Sequence, residues 1–138
     1  MAKCIKLLKE MFLDTTGIVH KKKRLDELLT DHLILLWENA DPGEMSNGYS
    51  IALKDDDYDL LLCLFATNVS SGNGCLSAIA LKGKDIRLMS CDSTGAVAYR
   101  NLEYINGKKY TASDGTQAGS VQARRNVPLA IYGIKLFS

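Results

Sequence analysis

From His32 onward the chain breaks into short apolar or alternating runs, each closed by turn-forming residues, and this rhythm limits the fold more than any other feature. The runs cover 33–38, 49–53, 58–67, 75–81, 86–90, 97–105, 109–112 and 129–137. Between them stand Asp41-Pro42-Gly43, Asp55-Asp56-Asp57, Gly72-Asn73-Gly74, Lys82-Gly83-Lys84, Asn106-Gly107 and Asp114-Gly115. Strands at this spacing, with no helical period between them, predict a mainly β domain: an antiparallel sandwich of jelly-roll type. Asn106-Gly107 suits a two-residue type I′ turn, because both residues tolerate positive φ, so it predicts a hairpin joining 97–105 to 108–112. The last run is apolar on both faces, which predicts a central strand with Pro128 at its entry, where a missing donor is tolerated.

Residues 1–31 follow a different period. Cys4, Leu8 and Met11, flanked by Ile5, Leu7 and Phe12, recur at three- and four-residue spacing among Lys3, Lys6, Lys9 and Glu10, the pattern of a short amphipathic helix. Asp14 to Gly17 stop it, Ile18 and Val19 read as extended, and a helical turn follows around Leu25, Leu28 and Leu29. The chain therefore divides into an N-terminal helical arm over 1–31 and a β-sandwich over 32–138. A helix this short is marginal in water by itself. The stripe of Leu7, Leu8, Met11 and Phe12 needs a cover, either its own sandwich or an attachment and oligomer seam.

The formal net charge of +1 conceals three blocks. Residues 1–25 hold seven basic and two acidic side chains, 26–60 hold one basic and ten acidic, and 61–138 hold nine basic and four acidic, giving +5, −9 and +5. Segregated charge of this kind favours assembly with a complementary surface over nucleic-acid binding by the whole domain. Lys21-Lys22-Lys23-Arg24 has no aromatic residues interleaved, so it lacks the platform on which unpaired bases stack. The longest apolar run is far short of a membrane span. The first residues lack the apolar core and cleavage site of an export signal, so the expectation is maturation in a reducing cytosol.

Few residues point to chemistry. Cys4, Cys63, Cys75 and Cys91 form no C-x-x-C pair and read as reduced, mostly buried thiols, with a Cys63–Cys75 bridge as the lesser alternative. His20 and His32 stand away from any nucleophile motif, and phosphate-binding glycine loops are missing from the sequence. Asp55, Asp57 and Asp59 open like a calcium loop, but Leu60 stands where the loop needs glycine and Ala66 where it needs its closing glutamate, so an acidic turn is the better reading. No enzyme activity, cofactor or metal is expected. Tyr99, Tyr104 and Tyr110 cluster about the predicted hairpin and are the candidates for surface recognition, since tyrosine brings a flat amphipathic ring at low entropic cost.

Leu36-Trp37-Glu38-Asn39-Ala40-Asp41-Pro42 opens the β-domain, Tyr58-Asp59 starts its middle strand, and Val127-Pro128-Leu129-Ala130-Ile131-Tyr132-Gly133-Ile134-Lys135 closes it. In these motifs residues 33–138 resemble small tail-associated structural proteins of phages and prophages of Gram-positive gut bacteria. The resemblance implies a β-rich tail-fibre or baseplate domain, a homo-oligomer with a trimer favoured, contact with other virion proteins, and contact with a host-surface glycan or protein. It implies a virion location after assembly in the bacterial host cytoplasm. The alternative is a soluble phage-encoded module that binds a host protein or small ligand in the infected cell.

Overall fold

A computed structural model of the protein describes residues 32–70 and 73–136. The helical arm expected over 1–31, with Leu7, Leu8, Met11 and Phe12, lies outside the described residues. Ten strands follow in order: β1 (Leu33–Glu38), β2 (Tyr49–Ala52), β3 (Leu60–Asn68), β4 (Asn73–Leu81), β5 (Ile86–Cys91), β6 (Val97–Asn106), β7 (Lys109–Ala112), β8 (Thr116–Gln117), β9 (Ser120–Val121) and β10 (Arg125–Ile134). The mainly β, antiparallel expectation holds, and eight of the strands fall on the eight runs read from the sequence.

Sheet A has the order β1-β10-β3-β4. In sheet B, β5 takes one edge of β6, while β7 and then β8 share the other, so that Leu102 faces both Ile86 and Ala112. The chain crosses between sheets after β1, β2, β4 and β9, whereas β3–β4 and β5–β6–β7 are successive hairpins. The core lies between the sheets because alternate side chains of each strand point inward. Leu61, Cys63 and Phe65 of β3 meet Ile86 and Leu88 of β5, Leu102 of β6, Tyr110 of β7 and Ile131 of β10 in one buried cluster.

Three local features depart from the sequence reading. Strand β10 begins at Arg125 and carries Pro128 in its interior. The proline is tolerated because the register with β3 shifts between Pro128 and Ala130, a bulge that removes the demand for its missing donor. At the β6–β7 hairpin Asn106 pairs with Lys109, so the turn centres on Gly107 and Lys108, with positive φ at Gly107 alone. The type I′ geometry is thereby replaced, with the register shift between Tyr104 and Asn106 taking up the difference. Gly133 sits in β10 because a β-carbon there would stand 2.9 Å from Leu36 Cδ1 and from Tyr58 Cβ.

Arg100 is the least expected core residue. It occupies an inward position of β6 between Ala98 and Leu102 and is fully buried. Its Nη1 donates to Met45 O at 2.8 Å and Ser113 O at 2.6 Å, its Nη2 to Ala123 O at 2.8 Å, and its Nε to Arg125 O at 3.2 Å. The rigid fork of the guanidinium thus ties the loop before β2, the break between β7 and β8, and the entry to β10. Burial pushes its pKa down to about 10, opposed by Asp114, which leaves it charged at neutral pH. Next to it Asn126, buried and with φ of 49°, accepts from Ser90 Oγ at 2.6 Å and donates to Leu88 O at 3.2 Å.

Candidate recognition face

The antiparallel register of β5 and β6 sets Arg87 opposite Asn101, Met89 opposite Tyr99, and Cys91 opposite Val97. Opposed residues share a face. Since Ile86, Leu88 and Ser90 point into the core, these six side chains lie on the outside of sheet B. Arg87 Nε donates to Asn101 Oδ1 at 3.0 Å, and the guanidinium carbon stands 5.5 Å from the centre of the Tyr99 ring. Tyr99 is 40% exposed, Val97 49% and Met89 52%. An aromatic ring, an arginine held by an amide and a pliable methionine make up the side-chain set enriched where proteins bind other surfaces.

Only one of the three sequence-selected tyrosines serves this face. Tyr110 is buried completely between the sheets and belongs to the core, which corrects its assignment to a recognition surface. The cause is local: in β7 Tyr110 and Ala112 alternate with Lys109 and Thr111, so both turn inward together. Tyr104 is half-buried and packs edge-on against it, with ring centres 5.5 Å apart at 64°. The face's Arg87, Met89 and Val97 were missed because a strand read alone does not reveal its neighbour. The Asp92–Gly95 turn is the signal that sets the register: Asp92 Oδ1 accepts from Thr94 N at 2.9 Å, Thr94 Oγ1 at 2.6 Å and Ala96 N at 3.0 Å. These bonds, chiefly that from the Thr94 hydroxyl, hold the Asp92 carboxyl below its ordinary range.

Sheet A turns a second, different face to the outside. Its cross-strand rows are Leu35–Tyr132–Leu62–Ile79 and Leu33–Ile134–Leu60–Leu81, with no charged residue in either. Ile79 is 63% exposed and Leu81 61%. Towards the opposite end of these strands a shallow depression of about 320 Å³ is lined by Pro42, Ala66, Val69, Cys75 and Leu129, among others.

The remaining sequence features resolve into structural roles. Asp55 Oδ1 accepts from Asp56 N and Asp57 N, which lowers its pKa, and Asp57 pairs with Lys135, so the acidic run is a hydrogen-bonded turn. Among the described residues there is no group of three or more His, Cys, Asp or Glu that could hold a metal. Cys63 is buried, Cys75 and Cys91 are exposed, and all three are free thiols; the exposed pair departs from the mostly buried expectation. Arg124 reaches Glu44 at 2.8 Å and Ser70 Oγ at 2.9 Å. His32 Nδ1 lies 3.1 Å from Lys135 O. Compared with known proteins, the chain matches no family model, no curated protein and no solved structure.

Proposed function

We propose that this chain is a non-enzymatic structural component of a phage particle, of the tail, fibre or baseplate kind or attached to the head, that meets a bacterial surface through the outer face of sheet B. The observation that carries the reading is the exposed Arg87–Tyr99–Met89 patch on the β5–β6 hairpin, a surface suited to stacking on a sugar ring or an apolar side chain. The motif resemblance of residues 33–138 supplies the phage context. A part repeated about the axis of a particle works as a homo-oligomer, with a trimer favoured.

The test is mass spectrometry of purified particles, combined with light scattering on the isolated chain. Peptides of this chain in stoichiometric amount in the particle, and a solution mass of three chains, are expected. The chain's absence from particles and a strictly monomeric mass overturn the reading. The exposed thiols of Cys75 and Cys91 favour a second reading, a soluble module binding a host protein or small ligand in the reducing cytosol. In that case the chain is found in infected-cell lysate and not in particles.

A further inference from the structure

The apolar outer face of sheet A would cost a lone domain in water, since side chains as exposed as Ile79 and Leu81 lie in one uncharged tract across four strands. We propose that residues 1–31 of the same chain fold back over this face and cover it.

Four observations converge on that occupant. First, the covering segment is tethered at the face. His32 and Lys135 exchange contacts through His32 Nδ1 with Lys135 O and Lys135 N with His32 O, so the preceding residues leave the domain beside the row that begins at Leu33. A segment tethered at its binding surface experiences an effective concentration on the order of millimolar, which a second copy in dilute solution does not reach.

Second, the dimensions agree. A helix about 10 Å wide spans about two strands at ~4.8 Å spacing, so a helix over the twelve residues 2–13 covers about half of the four-stranded face, and the helical turn around Leu25–Leu29 adds cover where the chain enters it. A twelve-residue helix is ~18 Å long, close to the ~20 Å of a six-residue strand. Third, the apolar stripe read from the sequence, Leu7, Leu8, Met11 and Phe12, supplies side chains of the kind the face lacks a partner for.

Fourth, the charges are complementary. Residues 1–25 hold seven basic and two acidic side chains, and the end of the face where the chain enters carries Asp55, Asp56, Asp57 and Asp59. Asp57 is bonded to Lys135, whereas Asp55 feels Lys108 and Lys135 only through longer-range attraction. The run Lys21–Arg24 lies only nine residues before Leu33 at its near end, within reach of these aspartates. The arm covers sheet A whether the protein serves in a virion or in the cell, and whether or not the chain also self-associates.

Amine cross-linking of the full chain, prepared as an equal mixture of ordinary and nitrogen-15-labelled protein, tests it. Cross-links from Lys6 and Lys9 to Lys82 and Lys135 are expected within chains of one isotope only, and they should fall severalfold in the double variant Ile79→Ser, Leu81→Ser. The variant Ala52→Ser on sheet B should leave them unchanged. Mixed-isotope cross-links making up half the total would place the segment on a second copy and overturn the proposal. Cross-links running instead to Lys109 of sheet B, or none between these segments, would overturn it as well.

Discussion

A β-carbon on Gly115 would stand 2.9 Å from the Nη2 of Arg100, 2.7 Å from Arg125 O and 2.3 Å from Gln122 O. The glycine and the arginine share one packed volume, in which the guanidinium reaches its carbonyls only because the backbone at 115 comes in without a side chain.

Gly115→Ala should therefore cost about 3 kcal/mol or more, at the upper end of what overpacking does, because two of the atoms in the way are backbone. Gly74→Ala, where no atom lies within 4 Å, should stay within about 0.5 kcal/mol. Urea unfolding of the two variants checks the contrast, and equal losses would refute the close-approach account.

Arg100→Met keeps the volume and removes the guanidinium donors to four carbonyls, of which Ala123 O keeps the Met45 N–H as a partner. A loss of about 3 kcal/mol or more is expected from unmet buried acceptors. Arg100→Lys should restore only part of it, since an ammonium cannot reproduce the planar fork. Thermal melts of the three proteins at neutral pH give the ranking.

The tyrosines separate surface from core. Tyr110→Ala should cost about 3–5 kcal/mol as a cavity in the packed interior. Tyr99→Ala should change stability by less than about 0.5–1 kcal/mol, while weakening adhesion of the labelled chain to bacterial cells. Adhesion that survives both Tyr99→Ala and Arg87→Ala would remove sheet B from the proposed contact.

The hydroxyls of Tyr58 and Tyr110 are both buried and complete no hydrogen bond at good geometry. A buried polar group without a partner costs about 1–3 kcal/mol, so the double variant Tyr58→Phe, Tyr110→Phe should be as stable as the parent or more so. A loss greater than 1 kcal/mol on the order of a full hydrogen bond would show that the two hydroxyls serve one another.

Alkali should unfold the domain through buried acids. Burial pushes the Cys63 thiol from 9.0 up to about 12, and it also raises the hydroxyls of Tyr58 and Tyr110. In the unfolded chain these groups release protons that the folded chain retains. The stability these groups contribute is therefore fully present well below pH 9 and is lost as pH rises from there towards 12. Urea midpoints across that range check it, and Cys63→Ala should flatten the first part of the decline.

Eight strands were legible because inward-facing and outward-facing residues alternate at a period the sequence displays directly, as in Ile86-Arg87-Leu88-Met89-Ser90. The two-residue β8 and β9 were not, being too short to show a period. The first part of β10 was hidden by Arg124-Arg125-Asn126, which reads as a polar loop until Asn126 is seen bonded to Ser90 and Leu88 from the facing sheet. Arg100 was invisible for the same reason: its partners are backbone carbonyls from segments distant in sequence, and no side-chain pattern records them. Of the candidate recognition face, the tyrosine was legible as a residue type, whereas its companions Arg87 and Met89 depended on cross-strand register.

The adjacency of β1 and β10 bears on how the protein is made. Leu33 pairs with Ile134, so the first strand of the domain finds its neighbour only in the last. During synthesis sheet A cannot close until Ile134 has left the ribosome, and until then β1 and β3 lack the strand that separates them. The same adjacency means that a short linker could join the ends of the sandwich, and a circularly permuted chain opened at the exposed Gly119 turn should retain the fold.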